Sequence, residues 1–138
     1  MSNSETLARL NANKPHFLNL MGAEITAADT TALNCTIRFD ISTDYCHSGD
    51  IVQGGFVTAM LDAAMSHAAF ALEDNILNIA SLEIKTTFLE PSRAGVFNAT
   101  GKLLKVGRSI GFMSGELFND DGVLTATATT TAKLVRAR

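Results

Sequence analysis

The chain has 138 residues, 46% of them apolar and 18% charged. That is enough to bury a real core in one domain, too short for two ordinary ones, and too apolar for disorder. A net charge of −3 and a pI near 5.5 argue against a nucleic-acid surface, which carries a basic stripe.

Ser2-x-x-Glu5 has the form of a capping box and predicts a helix over Thr6–Asn13, ended by Lys14-Pro15. His16–Met21 adds a turn, so 1–21 forms an N-terminal helical segment of a single domain spanning 1–138. The polar start Met1-Ser2-Asn3-Ser4-Glu5 lacks the basic-then-apolar pattern of a secretion signal. Cys35 and Cys46 show no metal-ligand spacing and read as reduced thiols of a cytosolic, cytoplasmic protein.

A strand is expected over Ala23–Ala28 and a turn at Asp29-Thr30-Thr31. Leu33, Cys35, Ile37, Phe39 and Ile41 then alternate with Asn34, Thr36, Arg38 and Asp40, a period of two with one face buried. After Ser42–Gly49 the chain predicts a helix from Gln53 to Leu72, stopped by Glu73-Asp74-Asn75. Its apolar run is long enough to raise the question of a membrane span. Gln53, Asp62, Ser66 and His67 interrupt it, and it reads as a buried helix of a soluble domain.

Four strands follow at Ile79–Leu89, Val96–Val106, Ser109–Phe118 and Leu124–Val135. Asn119-Asp120-Asp121-Gly122 is a hairpin turn whose glycine supplies positive φ, and the threonine-rich last strand suits a pleated sheet. Short helix, two strands, long helix, four strands define an α+β domain, one apolar helix against one largely antiparallel sheet. One helix cannot cover a wide sheet, so self-association through leftover edge or face is expected.

The chemistry concentrates in the long helix. Asp62 is the sole charged residue between Ile51 and Leu72, and a carboxylate there is costly to bury unless paired. At the helix start, the first N–H groups, including those of Gly54 and Gly55, lack intrahelical partners at the positive end of the dipole. The glycines leave that backbone open to a ligand, and such a place favours a developing oxyanion. Gly54 and Asp62 are separated by eight residues, about 12 Å of helix rise. Either one of them alone is functional, or one chain's Gly54 works with another chain's Asp62; close packing at a helix start and a satisfied core carboxylate are the plain alternatives.

His47 precedes the helix and, as a histidine, can donate to a carbonyl or carry a proton near neutrality. Gln53 can orient a group but cannot shuttle protons. Ser81 falls on the strand after the helix and by alternation shares a face with Glu83 and Lys85, opposite Leu82 and Ile84. His67 reads as packing. Phe56, Met60, Met65, Phe70 and Phe88 are candidate pocket walls as well as ordinary core. Lys105-Val106-Gly107-Arg108-Ser109 is a basic turn that can serve as a hairpin or as a phosphate contact. No metal-binding cluster is readable.

Gln53-Gly54-Gly55 followed at fixed spacing by Asp62, with Phe88-Leu89-Glu90-Pro91 and Gly107-Arg108, resembles the hotdog-fold acyl-CoA thioesterases of the phenylacetate-pathway and 4-hydroxybenzoyl-CoA types, over roughly residues 44–133. The resemblance implies a helix wrapped by a curved antiparallel sheet, and two such domains forming a double hotdog, often within a homotetramer. It implies Asp62 as general base or nucleophile, the Gly54 N–H as oxyanion donor, and Ser81 positioning the water. Gly55, Lys105 and Arg108 become contacts for coenzyme A, which is part of the substrate, with no separate cofactor. Two positions depart from the family pattern: His47 stands where many relatives have Asn or Gln, and Gln53 where many have His. The expected activity is hydrolysis of an acyl-CoA thioester; a non-catalytic acyl-CoA-binding module and a hotdog acyl-thioester dehydratase or hydratase are the alternatives.

Overall fold

A computed structural model describes residues 2–72 and 75–137, Leu72 by its backbone alone. Ser2 caps helix α1 (Asn3–Ala12), which begins three residues earlier than expected, its hydroxyl accepting the Glu5 N–H at 3.1 Å. Pro15 leads into α2 (His16–Leu20). Strands β1 (Glu24–Asp29) and β2 (Asn34–Ile41) follow, then the short β3 (Cys46–Ser48) and β4 (Ile51–Val52). Helix α3 covers Gly54–Leu72, and β5 (Ile76–Phe88), β6 (Gly95–Val106), β7 (Ile110–Asn119) and β8 (Leu124–Arg136) complete the chain. The expected turn at Asn119–Gly122 carries its glycine at φ 79°. The expected acidic helix stop at Glu73-Asp74 lies outside the described residues.

One feature differs from the sequence reading, and a second lies beyond what it assigned. The 42–49 loop and the residues after it form a small β3–β4 hairpin, because strands of two and three residues are too short to show a period. And β5 does not lie beside its neighbour in sequence, β6. The six-stranded sheet runs β1-β2-β6-β7-β8-β5, antiparallel throughout, so β5 occupies the edge beside β8 while β6 returns to pair with β2.

Small residues let α3 lie very close to this sheet. The register aligns Cys35 with Gly101, Gly101 with Gly115, and Gly115 with Ala128, a row of small side chains across β2, β6, β7 and β8. A Cβ on Gly101 would overlap the main chain of Ala64 and Met65, and one on Gly115 would press on Leu61 and Met65. Val57, Met60, Leu61, Ala64, Met65 and Ala68 are all buried as a result. Met60 and Met65, candidate pocket walls by sequence, are fully enclosed core at 0% exposure. Cys35 is buried in the same layer, which pushes its thiol pKa up to about 12 and makes it inert.

The β5 edge is different. A β-bulge between Ser81 and Glu83 breaks the alternation, since one extra residue turns every later side chain to the other face. Ile79 and Ser81 face the helix, and beyond the bulge Ile84 and Thr86 do so in place of Glu83 and Lys85. This corrects the expectation that Ser81 shares a face with Glu83 and Lys85: Lys85 instead lines the outer sheet surface with Thr87, Lys102 and Thr129. Leu77 and Leu82 on this strand are 66% and 61% exposed. Among the described residues no helix is long and apolar enough to cross a membrane.

Candidate active site along the border of the long helix and the edge strand

The start of α3 is fixed from several directions. Gln53, just before the helix, donates its N–H to the Tyr45 carbonyl at 2.9 Å. Its side-chain Oε1 accepts the Gly55 N–H at 2.7 Å. The Tyr45 ring packs edge-on against Phe56 at 4.9 Å. Val52 N–H donates to the Ser92 carbonyl at 2.8 Å, and the Ser92 hydroxyl, buried, reaches Thr125 at 3.0 Å. Arg93 pairs with Asp50 at 2.7 Å in the open.

This geometry revises one expectation. The Gly55 N–H is not free: the Gln53 side chain caps it, as N-cap side chains do at the second helical N–H. Gly55 itself permits the cap, because a Cβ there would stand 2.7 Å from that Oε1. The Gly54 N–H, one position earlier, has no acceptor among the described residues. A Cβ on Gly54 would meet the Phe88 ring at 3.2 Å. Beside it lies a largely apolar groove of about 500 Å³ lined by Ile51, Val57, Phe88, Leu89 and Pro91, with His47 among its walls. His47 is exposed on β3, its Nδ1 2.8 Å from the Ser48 hydroxyl.

Asp62 lies two turns further along the same helix, half-buried. Its Oδ1 accepts the Ser81 hydroxyl at 3.1 Å. Burial pushes the Asp62 carboxyl above the ordinary carboxylate range, opposed by the Ser81 hydrogen bond and by the nearby His67 imidazole. His67 is buried, which lowers its pKa against the opposing effects of the Ala63 carbonyl and Asp62. Its Nδ1 lies 2.8 Å from the Ala63 carbonyl and its ring packs on Phe70, the packing role expected of it.

One residue of this border escaped the sequence reading. Thr58 sits midway between Gly54 and Asp62, and its hydroxyl is 2.9 Å from that of Thr86. Gly54, Thr58 and Asp62 thus form an i, i+4, i+8 stripe meeting Phe88, Thr86 and Ser81 in turn along β5. The spacing was visible in the sequence; the partners across the gap were not.

The structure brings together Gly54, Gln53, Gly55 and His47 at one end of the stripe and Asp62 with Ser81 at the other. It does not bring Lys105 and Arg108 to the Gly54 end. Arg136 binds the Gly107 and Arg108 carbonyls and pairs with Ile76 across the β5–β8 ladder, whereas Phe88, beside Gly54, pairs with Ala126. The 13-residue length of β5, roughly 40 Å at strand rise, separates the basic turn from Gly54 within one chain.

The fold is the hotdog fold, an antiparallel six-stranded sheet with a long helix packed against it. The thioesterase superfamily model matches residues 49–126, more than half of the chain, and the chain belongs to that superfamily. It is similar to a phenylacetic acid degradation-related protein of Ralstonia eutropha JMP134, with 27% identity, a TM-score of 0.84, and coverage of 93% of this chain and 98% of that one. The PaaI protein of the E. coli phenylacetic acid degradation operon shares the fold at TM-score 0.83 and 17% identity, over 97% of this chain and 96% of its own. Among curated relatives, the medium/long-chain acyl-CoA thioesterase YigI of Salmonella typhimurium (strain LT2) is 27% identical over 94 residues, 59% of this chain and 61% of that protein. The chain spans less than two thirds of the length of the curated relatives it matches.

Proposed function

We propose that this protein hydrolyses acyl-CoA thioesters at a site shared by two copies of the chain. The observation that carries the reading is the pairing, on one helix, of a Gly54 N–H that has no acceptor among the described residues with a half-buried carboxylate at Asp62 held by Ser81. Each is half of a site for attack on a carbonyl. About 12 Å of helix rise keeps them from serving one carbonyl within a single chain.

In the reaction, Asp62 takes a proton from water as the water oxygen attacks the thioester carbon. Ser81 holds the carboxylate, and the Gly54 N–H of the second copy receives the charge developing on the carbonyl oxygen. Collapse breaks the C–S bond, the thiolate takes the proton from Asp62, and free acid and coenzyme A leave. Direct attack by Asp62 through an anhydride, then hydrolysed, uses the same groups.

The bare edge of β5 supports a second copy as partner: it is long, apolar at Leu77 and Leu82, and ends the sheet, the kind of edge that templates pairing with another chain. A two-fold pair of antiparallel edges would bring the partner's basic turn toward the end of the sheet where Gly54 lies. Lys105 and Arg108 could then meet coenzyme A phosphates.

Release of free thiol from a panel of acyl-CoAs tests the activity, since neither hydration nor simple binding frees the thiol. Subunit mixing tests the shared site. Asp62→Asn and Gly54→Val chains, each inactive, are combined under conditions that allow exchange. Random pairing makes about half the dimers mixed, each with one intact site, so roughly a quarter of wild-type activity returns. Confirmed exchange with no recovery would rule the shared site out.

A further inference from the structure

We propose that the cavity at the C-terminal end of α3 receives the far end of the acyl group, and that His67 Nε2 accepts a hydrogen bond there from a hydroxyl, so that the preferred substrates are thioesters of hydroxy acids. The inference rests on the hydrolytic reading above and names the acyl group that the site selects.

Its basis is a stripe that does not stop at Asp62. The four-residue spacing of Gly54, Thr58 and Asp62 continues through Ser66 to Phe70 on the same helix. Across the gap, β5 runs back from Ser81 to Ile76. Phe70, Ile76 and Leu77 wall a cavity of about 450 Å³, completed by Leu10 of α1 and by Pro15. The cavity thus lies along the same border as Asp62, on the side away from Gly54 of the same chain.

His67 also lines this cavity and is only 6% exposed. Its Nδ1 stands 2.8 Å from the Ala63 carbonyl, an acceptor that requires the proton on Nδ1. Nε2 of the neutral ring is then a lone-pair acceptor. Burial favours that neutral form, against the opposing effects of the Ala63 carbonyl and Asp62. Nε2 has no partner among the described residues. The other polar residues of the wall are engaged within the chain: Arg9 donates to the Phe70 carbonyl at 3.0 Å, Asn13 donates to the Arg9 carbonyl at 2.8 Å, and Asn78 accepts the Ile79 N–H at 2.9 Å.

An enclosed acceptor is costly to leave unmatched, and a site built around one favours a ligand that brings the donor. A hydroxyl does so. Coenzyme A phosphates bring only negative charge and further acceptors, so the acyl group is the part of the substrate that fits. Its length follows from the helix. Five residues separate Asp62 from His67, about 7.5 Å of rise. A zigzag chain covers that distance in about six bonds of roughly 1.5 Å each, which places the hydroxyl as in a 6-hydroxyhexanoyl group.

Non-hydrolysable coenzyme A thioethers test the selectivity without relying on catalysis. S-(6-hydroxyhexyl)-CoA and S-heptyl-CoA, in which a methyl replaces the hydroxyl, are titrated by calorimetry into wild type, His67→Phe and His67→Gln. Wild type should bind the hydroxyl compound more tightly although the methyl is the more apolar group. The ratio of the two dissociation constants should shift toward the methyl by about tenfold in His67→Phe. His67→Gln, which retains an acceptor oxygen, should keep part of the wild-type preference. His67→Leu takes the place of His67→Phe if circular dichroism shows that the latter fails to fold.

A wild type that prefers the methyl compound, or a ratio unchanged in His67→Phe, would overturn the inference. So would tighter binding of S-(5-carboxypentyl)-CoA than of the hydroxyl compound, which would give the cavity to the Arg9 guanidinium instead. Thiol release from 6-hydroxyhexanoyl-CoA and heptanoyl-CoA separates the two ideas. Release with an unshifted ratio overturns the selectivity alone, whereas the expected ratio with no release from either thioester supports the selectivity and overturns the hydrolytic reading.

Discussion

The long helix presents two sides that use glycine in opposite ways. On the sheet side, Gly101 and Gly115 form a floor so close to the helix that a single methyl has nowhere to go. On the flank beside the edge strand, Gly54 meets one aromatic ring, that of Phe88, whose side chain is 56% exposed. The first side is a place where backbone touches backbone; the second leaves a backbone N–H and a carboxylate accessible. Residue type therefore does not separate packing from chemistry here, whereas what stands opposite each glycine does.

The sharpest break of that comparison is Gly101→Ala. Its Cβ would overlap the Ala64 carbonyl and the Met65 main chain, neither of them the yielding end of a side chain. Overpacking usually costs about 1–3 kcal/mol, and a main-chain overlap should reach about 3 kcal/mol or more, enough to lower the urea midpoint severely or abolish folding. A variant with a wild-type midpoint would show that the helix can lift from the sheet without penalty.

Asp62→Asn should do the reverse, sparing the fold and lowering thiol release by about 10²–10⁴. Activity within a few-fold of wild type would remove Asp62 from the mechanism. The same variant carries a stability signature. Burial raises the folded pKa of Asp62 above its unfolded value, so between those two values the folded state holds more protons than the unfolded state. Asp62 therefore lowers stability progressively as pH rises through that window. Asp62→Asn should gain on wild type across it and hold a constant advantage above it, as read by denaturant unfolding at a series of pH values. A difference that does not vary with pH would mean the carboxyl is not perturbed.

Gly54→Ala should cost about tenfold or more in turnover with little loss of stability, since alanine favours a helix over glycine by up to about 1 kcal/mol. Pairing it with Phe88→Ala sharpens the reason. Contact with the ring is relieved in the double variant, so a deficit that persists belongs to crowding of the carbonyl site. Full recovery would assign it to packing against Phe88.

Ser81→Ala should have the smallest effect, a loss of about tenfold in rate, in line with a hydrogen bond to a charged group. Because that bond holds the Asp62 carboxyl down, its removal should move the acidic limb of the pH–rate profile upward. A limb that stays in place would leave Ser81 without influence on Asp62, and one that moves down would reverse the sign of its effect.

Much of this protein was determined by local sequence. The serine cap at Ser2, the alternation from Leu33 to Ile41, the glycine turn at Asn119–Gly122 and the apolar run into Leu72 each arise from forces acting within a few residues. The isolated charge of Asp62 and the Gly54-Gly55 pair were legible for the same reason. Tertiary structure decided the rest. Placing β5 at the far edge, beside β8, depends on which strands meet across long stretches of chain, and no local pattern records that. The bulge at Ser81 was invisible because one extra residue leaves composition unchanged while turning every later side chain over, and it alone put Ser81 with Thr86 on the helix side. The capping of Gly55 by Gln53, the enclosure of Met60 and Met65, and the distance of Lys105 and Arg108 from Gly54 were settled by three-dimensional neighbours. Sequence names the groups able to do chemistry; which of them meet is fixed by packing between segments far apart in the chain.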